Sequence, residues 1–129
     1  MKQFIDNKDG TVTGTKTGLM WQKDTAPNSY TWREAKTYCK ELELAGYNDW
    51  RLPTIQELIM IVNYSRFNPA SDPIFDTMSS YYWSSTTYAS YPCNAWYVSF
   101  YDGSMYYGNK SRDGYVRAVR AGQKKEKEK

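Results

Sequence analysis

The sequence predicts an α+β domain with two amphipathic helices, small antiparallel β-sheets and long ordered loops. Three observations predict it. Two Thr-x-x-Glu capping boxes, Thr31–Glu34 and Thr54–Glu57, each open a run with helical apolar spacing. Turn signals at Asp9-Gly10, Thr17-Gly18 and Asp102-Gly103 separate short runs rich in Val, Thr, Tyr and Trp. No linker divides the 129 residues, so one ligand-binding domain is expected over 1–122, with a charged, disordered tail at 123–129.

In chain order, Phe4–Asp6 and Thr11–Thr13 read as strands joined through Asn7–Gly10, with Asp9 and Gly10 tolerating positive φ. A calcium loop fails there because Lys8 would place a cation among the ligands. Leu19–Gln22 is the next strand. The first helix starts at Thr31, buries Ala35, Tyr38, Cys39 and Leu42, and is expected to end at Gly46 in the left-handed conformation. The second follows Pro53 and buries Leu58, Ile61 and Val62; neither helix should exceed about three turns. Asn63–Met78 reads as an ordered loop, and four strands follow: Tyr81–Ser84, Ala95–Phe100, Ser104–Tyr107 and Tyr115–Arg120.

Composition narrows the function. Aromatics make up 17% of the chain, so the core must rest on Trp, Tyr and Phe. The net charge of +3 falls to +1 without Lys124–Lys129, since that segment contributes four Lys and two Glu; such a balance makes no nucleic-acid surface. No apolar run reaches membrane-spanning length, so no insertion is expected, and Met1–Gly10 lacks the apolar region of a signal peptide. Cys39 and Cys93 are read as free. With no His, no Cys-x-x-Cys spacing and no paired carboxylates, neither metal, cofactor nor catalysis is expected. Asp49 reads as a turn residue, and Glu57 as part of its capping box.

The segment Ser79–Arg120 concentrates the signal. It holds nine of the 13 tyrosines, and between Thr77 and Asn109 its one charged residue is Asp102. Tyr, Ser, Asn and Gly are the chemistry of protein-binding paratopes, although a Tyr-rich meander covering a small core would share this composition. Strand alternation tips the balance toward binding. It puts Trp96, Val98 and Phe100, joined by Met105, on a core side, and Tyr97, Ser99, Tyr101, Ser104 and Tyr106 on an outward side. The candidate ligand-binding set is that outward side with Asp102 and Tyr107, flanked by Tyr88, Tyr91 and Asn94 before it and Asn109, Ser111, Arg112 and Asp113 after it.

DNKDGTVTGTKTGLMWQK, TWREAKTYC, AGYNDWRLPTIQEL, YYWSSTTYAS, AWYVSFYDG and YVRAVR, in this order over Phe4–Gly122, resemble the Lcl C-terminal-type domain. That family takes its name from collagen-like bacterial adhesins. The resemblance implies a C-type-lectin-like fold with paired N- and C-terminal strands, a small antiparallel sheet carrying the ligand face, and a structural WRLPT element with Trp50 buried and Arg51 hydrogen-bonded. The family is related to the formylglycine-generating fold, whose enzymes depend on an active-site cysteine pair near its end; Ala118 stands in the closing strand and no pair is evident, so an enzyme is not expected. The resemblance extends to variable proteins diversified by retroelements, whose adenine mutagenesis never yields Lys, Glu, Gln, Met or Trp. Between Thr87 and Gly114 those types occur only as Trp96, Met105 and Lys110. Undiversified members are also rich in Tyr, Ser and Asn, so both readings stand. The expected partner is a protein on a cell or virion surface, contacted by a domain displayed on a surface or phage tail. A glycan- or glycosaminoglycan-binding adhesin domain is the alternative.

Overall fold

The structure, a computed structural model, describes residues 3–121, and the charged tail lies outside them. It is α+β, with two short helices and two small antiparallel sheets. Strands β1 (Phe4–Asp6), β2 (Thr11–Gly14) and β3 (Met20–Gln22) form a meander, and β7 (Val119–Arg120) pairs with β3, giving the order β1-β2-β3-β7. The last strand among the described residues therefore closes on the third strand of the N-terminal sheet. The positive φ angles in the first turn belong to Lys8 (65°) and Gly10 (93°); Asp9 instead accepts from the Thr11 N–H and hydroxyl.

Helix α1 (Trp32–Glu41) carries the full capping box: the Glu34 N–H donates to the Thr31 hydroxyl and the Thr31 N–H to the Glu34 carboxylate. It stops before the expected terminus, because Leu42 is already extended and bonds back to Cys39. Gly46 is left-handed, as expected of it, but together with Ala45 (φ 56°) it turns the tight Leu44–Tyr47 hairpin. Helix α2 (Ile55–Leu58) is a single turn continued by a 3₁₀ turn, Ile59–Ile61. Glu57 serves twice there, closing the Thr54 cap and holding Arg51 through two bonds of 2.7 and 2.8 Å.

The second sheet runs β4 (Tyr81–Thr87), β5 (Asn94–Ser99), β6 (Ser104–Asn109), with a register shift between Trp83 and Thr87. The expected strand Tyr115–Arg120 is shorter than its β-pattern because the segment crosses between sheets. Tyr115 exchanges backbone bonds with Tyr81 and Trp83, and the segment reaches β3 only from Ala118 onward, where the Gln22 N–H donates to the Ala118 carbonyl and Val119–Arg120 pair with Trp21 and Met20.

Two core clusters lie on opposite sides of this sheet, as pleating requires. Tyr82, Val98 and Phe100 point into one, with Trp21, Leu58, Ile61 and Phe75. Trp83 and Ala95 point into the other, with Ala35, Cys39, Trp50 and Leu52. Burial alone raises the Cys39 thiol to about 12, so it packs as an inert apolar group.

Arg117, fully buried, ties the layers together. Its guanidinium donates to the carbonyls of Gln22, Lys23 and Asp76 and to the Thr77 hydroxyl, over the Phe75 and Tyr82 rings. Desolvation brings its pKa down to about 10, still well above neutrality, so the cation persists. Asp49 is more than a turn residue: Arg120 binds it with two nitrogens while stacking over Tyr47 at 3.8 Å.

Candidate ligand-binding face

The register builds the site. Tyr97 of β5 stands opposite Trp83 of β4 and Tyr106 of β6, while Ser99 stands opposite Tyr81 and Ser104. Period-two alternation puts all of these on one face. Ring centroids at 4.7 Å (Tyr81–Tyr97) and 5.9 Å (Tyr97–Tyr106) make a tyrosine row across three strands. Beside it lies a concavity of about 480 Å³ lined by Ser79, Ser80, Tyr81, Tyr97, Ser99, Tyr101, Asp102 and Tyr106. Helix α1 and Trp50 cover this face only at its Trp83–Ala95 end.

Tyr81 and Tyr106 are 41% and 46% exposed, whereas Tyr97 is half-buried and Ser99 is buried at 7%. The expectation that Tyr97 and Ser99 are open surface is therefore corrected. Tyr97 leans on the Trp83 edge, and Ser99 lies at the bottom of the concavity. Gly108 makes room for the ring: a Cβ there would meet Tyr97 Cε2 at 3.0 Å. Desolvation first, then the neighbouring Tyr81, raise the Tyr97 pKa, so its phenol keeps its proton and both donates and accepts.

Tyr101 and Asp102 sit in the β5–β6 turn. Asp102 accepts the Ser104 N–H at 3.0 Å, and Gly103 (φ 84°) packs under Val62 and Tyr64. Arg112 and Asp113 join Tyr81, Trp83 and Tyr97 around a smaller recess, so these two loop residues belong to the same face.

The remaining expected residues do not. Trp96 stands opposite Tyr107, and Asn94 opposite Asn109, on the other face of the sheet. There Tyr88 and Tyr107 stack at 3.9 Å and 6°, Tyr91 stacks on Tyr88, and Trp96 stands nearly perpendicular to both Tyr88 and Tyr107. The Tyr107 phenol is held above its ordinary value first by its hydrogen bond with Tyr88. Asn109 accepts from the Ser111 N–H and hydroxyl, forming a closed local turn. The 14 expected residues thus divide between two surfaces. Trp96 is correspondingly a half-buried wall of the stack, and Met105, expected in the core, is 41% exposed because the core cover ends at Val98.

A model of the Lcl C-terminal domain matches residues 10–120. The chain belongs to the Lcl C-terminal domain family. No curated protein matches it. In this member of the family, Tyr81, Ser79 and Ser80 complete a face whose expected residues start only at Tyr97. The signal was present in Tyr81-Tyr82-Trp83-Ser84, whose alternation pairs Tyr81 with Trp83, but both positions read there as plain strand. The WRLPT element is as the resemblance implies: Trp50 is 3% exposed, with its indole N–H on the Tyr47 carbonyl, and Arg51 is held by Glu57.

Proposed function

We propose that this Lcl C-terminal domain is a recognition module, not an enzyme. It presents the Tyr81–Tyr97–Tyr106 row, the serine-floored concavity and the Arg112–Asp113 loop to a protein ligand on a cell or virion surface, from a C-type-lectin-like scaffold. The row carries the reading: three tyrosines on adjacent strands, next to a concavity lined without Lys, Arg or Glu. Tyrosine buries a large area at the cost of two χ angles, and such rings dominate binding hot spots. The positions Tyr97, Ser99, Tyr101, Ser104 and Tyr106 are all residue types that adenine mutagenesis can reach, which supports retroelement diversification of this face.

An alanine scan by surface plasmon resonance tests it, using a protein recovered on the immobilised domain and a glycan array in parallel. Tyr106→Ala is expected to weaken binding by about 2 kcal/mol, roughly thirtyfold, with the fold intact. Ser111→Ala on the opposite surface should change it little. Loss of binding from changes at Tyr88 or Tyr91 alone would transfer the site to the other face, and selective glycan capture would replace the protein ligand. A near-copy of the coding segment differing only at adenines, beside a reverse transcriptase, is the expected genomic mark of diversification.

A further inference from the structure

A second surface lies along helix α1, which covers the Trp83–Ala95 end of the tyrosine face. Arg33, Lys36 and Lys40 recur at i, i+3 and i+7 and so form one stripe of the helix, with Thr37 between them. The stripe faces Arg51, Leu52 and Thr54 across a groove of about 770 Å³ whose aromatic lining is Trp32 and Trp50. That volume is in the range of ligand sites.

The charge in this groove is one-sided. Its lining contains four cations and no carboxylate. A fifth, Lys110, comes from the end of β6: its ammonium lies 3.9 Å from the Trp32 ring centroid, and that of Lys36 lies 4.3 Å away. Among the described residues the ion pairs are Lys23–Asp6, Arg51–Glu57 and Arg120–Asp49, so Arg33, Lys36, Lys40 and Lys110 pair with no carboxylate there. Arg33 also borders an adjoining recess with Glu34 and Glu41, and Arg51 is held by Glu57; Lys36, Lys40 and Lys110 repel one another and focus a field on whatever enters the groove.

From this we infer that the groove binds an acidic peptide segment of a partner protein, in which Asp or Glu alternate with apolar side chains. The cations are spaced about one helical turn apart, roughly 5.4 Å. An extended peptide carries same-side residues about 6–7 Å apart, close enough for successive carboxylates to meet successive cations. The half-buried indole of Trp32 is the apolar surface offered to the side chains in between, while Trp50 and Leu52, 3% and 4% exposed, form the floor beneath it. A neutral saccharide fits poorly, because the lining offers Thr37, Thr54 and Ser85 hydroxyls but no carboxylate or amide acceptor for sugar hydroxyls. This inference is independent of the tyrosine face, which shares no lining residue with the groove.

The probe is a synthetic peptide alternating Asp and Glu with Leu and Phe, titrated into the full chain by calorimetry with indole N–H shifts followed by NMR. Its control replaces each acid by Asn or Gln, and dextran sulfate is the polyanion comparator. The acidic peptide should bind, shift the Trp32 indole signal and weaken as salt is raised. The amide control should bind at least roughly tenfold more weakly. Arg33→Glu or Lys36→Glu, both at exposed positions, should weaken binding by roughly fivefold to tenfold. The triple reversal with Lys40→Glu should abolish it, while Tyr106→Ala leaves it unchanged. Equal affinity in the single charge reversals, no binding of the acidic peptide, or binding of dextran sulfate alone would overturn the inference.

Discussion

The two faces of the β4–β5–β6 sheet both carry tyrosines and a tryptophan, and they arrange them differently. On the Tyr97 face the rings form an open row, with Tyr81 and Tyr106 more than two-fifths exposed and a concavity beside them. On the Trp96 face the rings stack on one another, Tyr88 against Tyr107 and Tyr91 and steeply inclined to Trp96, although Tyr91 and Tyr107 stay 61% and 44% exposed. Aromatic surface already spent on a neighbouring ring has less to offer a ligand. Cover also runs diagonally, since the α1 cluster takes one end of the first face and the α2 cluster the opposite face around Val98 and Phe100. Tyrosine content alone therefore does not mark a binding surface; the pairing of the rings does.

The most disruptive way to probe this contrast is to remove its common support. Phe100 is fully buried against Tyr82, and Phe100→Ala is expected to lose about 3–5 kcal/mol in denaturant melts, degrading both faces together. Trp96→Ala should cost less, about 2 kcal/mol, because the side chain is half-buried. It should also uncouple Tyr88 from Tyr107: the double variant Tyr88→Ala/Tyr107→Ala is expected to melt higher than the two single losses would sum to. Strict additivity would mean that the stack is incidental, and the distinction between the faces would weaken.

Gly108→Ala sharpens the comparison from the other side. Its Cβ would press on the Tyr97 ring at 3.0 Å, displacing the centre of the row while leaving the Tyr88 stack alone. About 1–2 kcal/mol of stability should be lost, with a larger fractional loss in ligand affinity. A Gly108→Ala domain with unchanged affinity would show that Tyr97 is not the centre of the site.

The smallest effect serves as a control remote from both faces. Glu57→Gln preserves the capping geometry and removes the Arg51 ion pair. The Arg51 hydrogen bond, foremost, holds the Glu57 pKa below its ordinary value of 4.5. A depressed acid pKa means that the pair's stabilisation is complete above the unfolded value and fades as pH falls through the folded one. With Arg51 substantially exposed, the pair is screened and worth about 0.5 kcal/mol. Melts of wild type and Glu57→Gln should therefore differ slightly at neutral pH and converge at low pH, with no change in binding at the tyrosine face at either pH.

Local chemistry made much of the fold legible. The two Thr-x-x-Glu boxes declare helix starts because the bonds that form them span three residues, and both are present at Thr31 and Thr54. The Asp102-Gly103 turn and the alternation through Tyr97, Val98 and Ser99 are equally local, which is why the core side of β5 could be read from composition and order. Helix ends were less legible. Gly46 carries a stop signal, yet the chain leaves the helix at Leu42 and spends that glycine on the hairpin.

What only the tertiary structure decided is which tyrosines stack tightly on one another and which stand in the row beside the concavity. Nothing within the sequence near Tyr107 states that Tyr88, across β5, will lie 3.9 Å from it, nor that Tyr81 will close the row beside Tyr97. Asp49 likewise gains its partner from Arg120, 71 positions away. Alternation assigns a side chain to one face of its own strand, a property of consecutive backbone bonds. Whether that face meets solvent, a helix or another ring depends on which strands lie adjacent and where the cover stops, and those are fixed by contacts between segments distant in the chain.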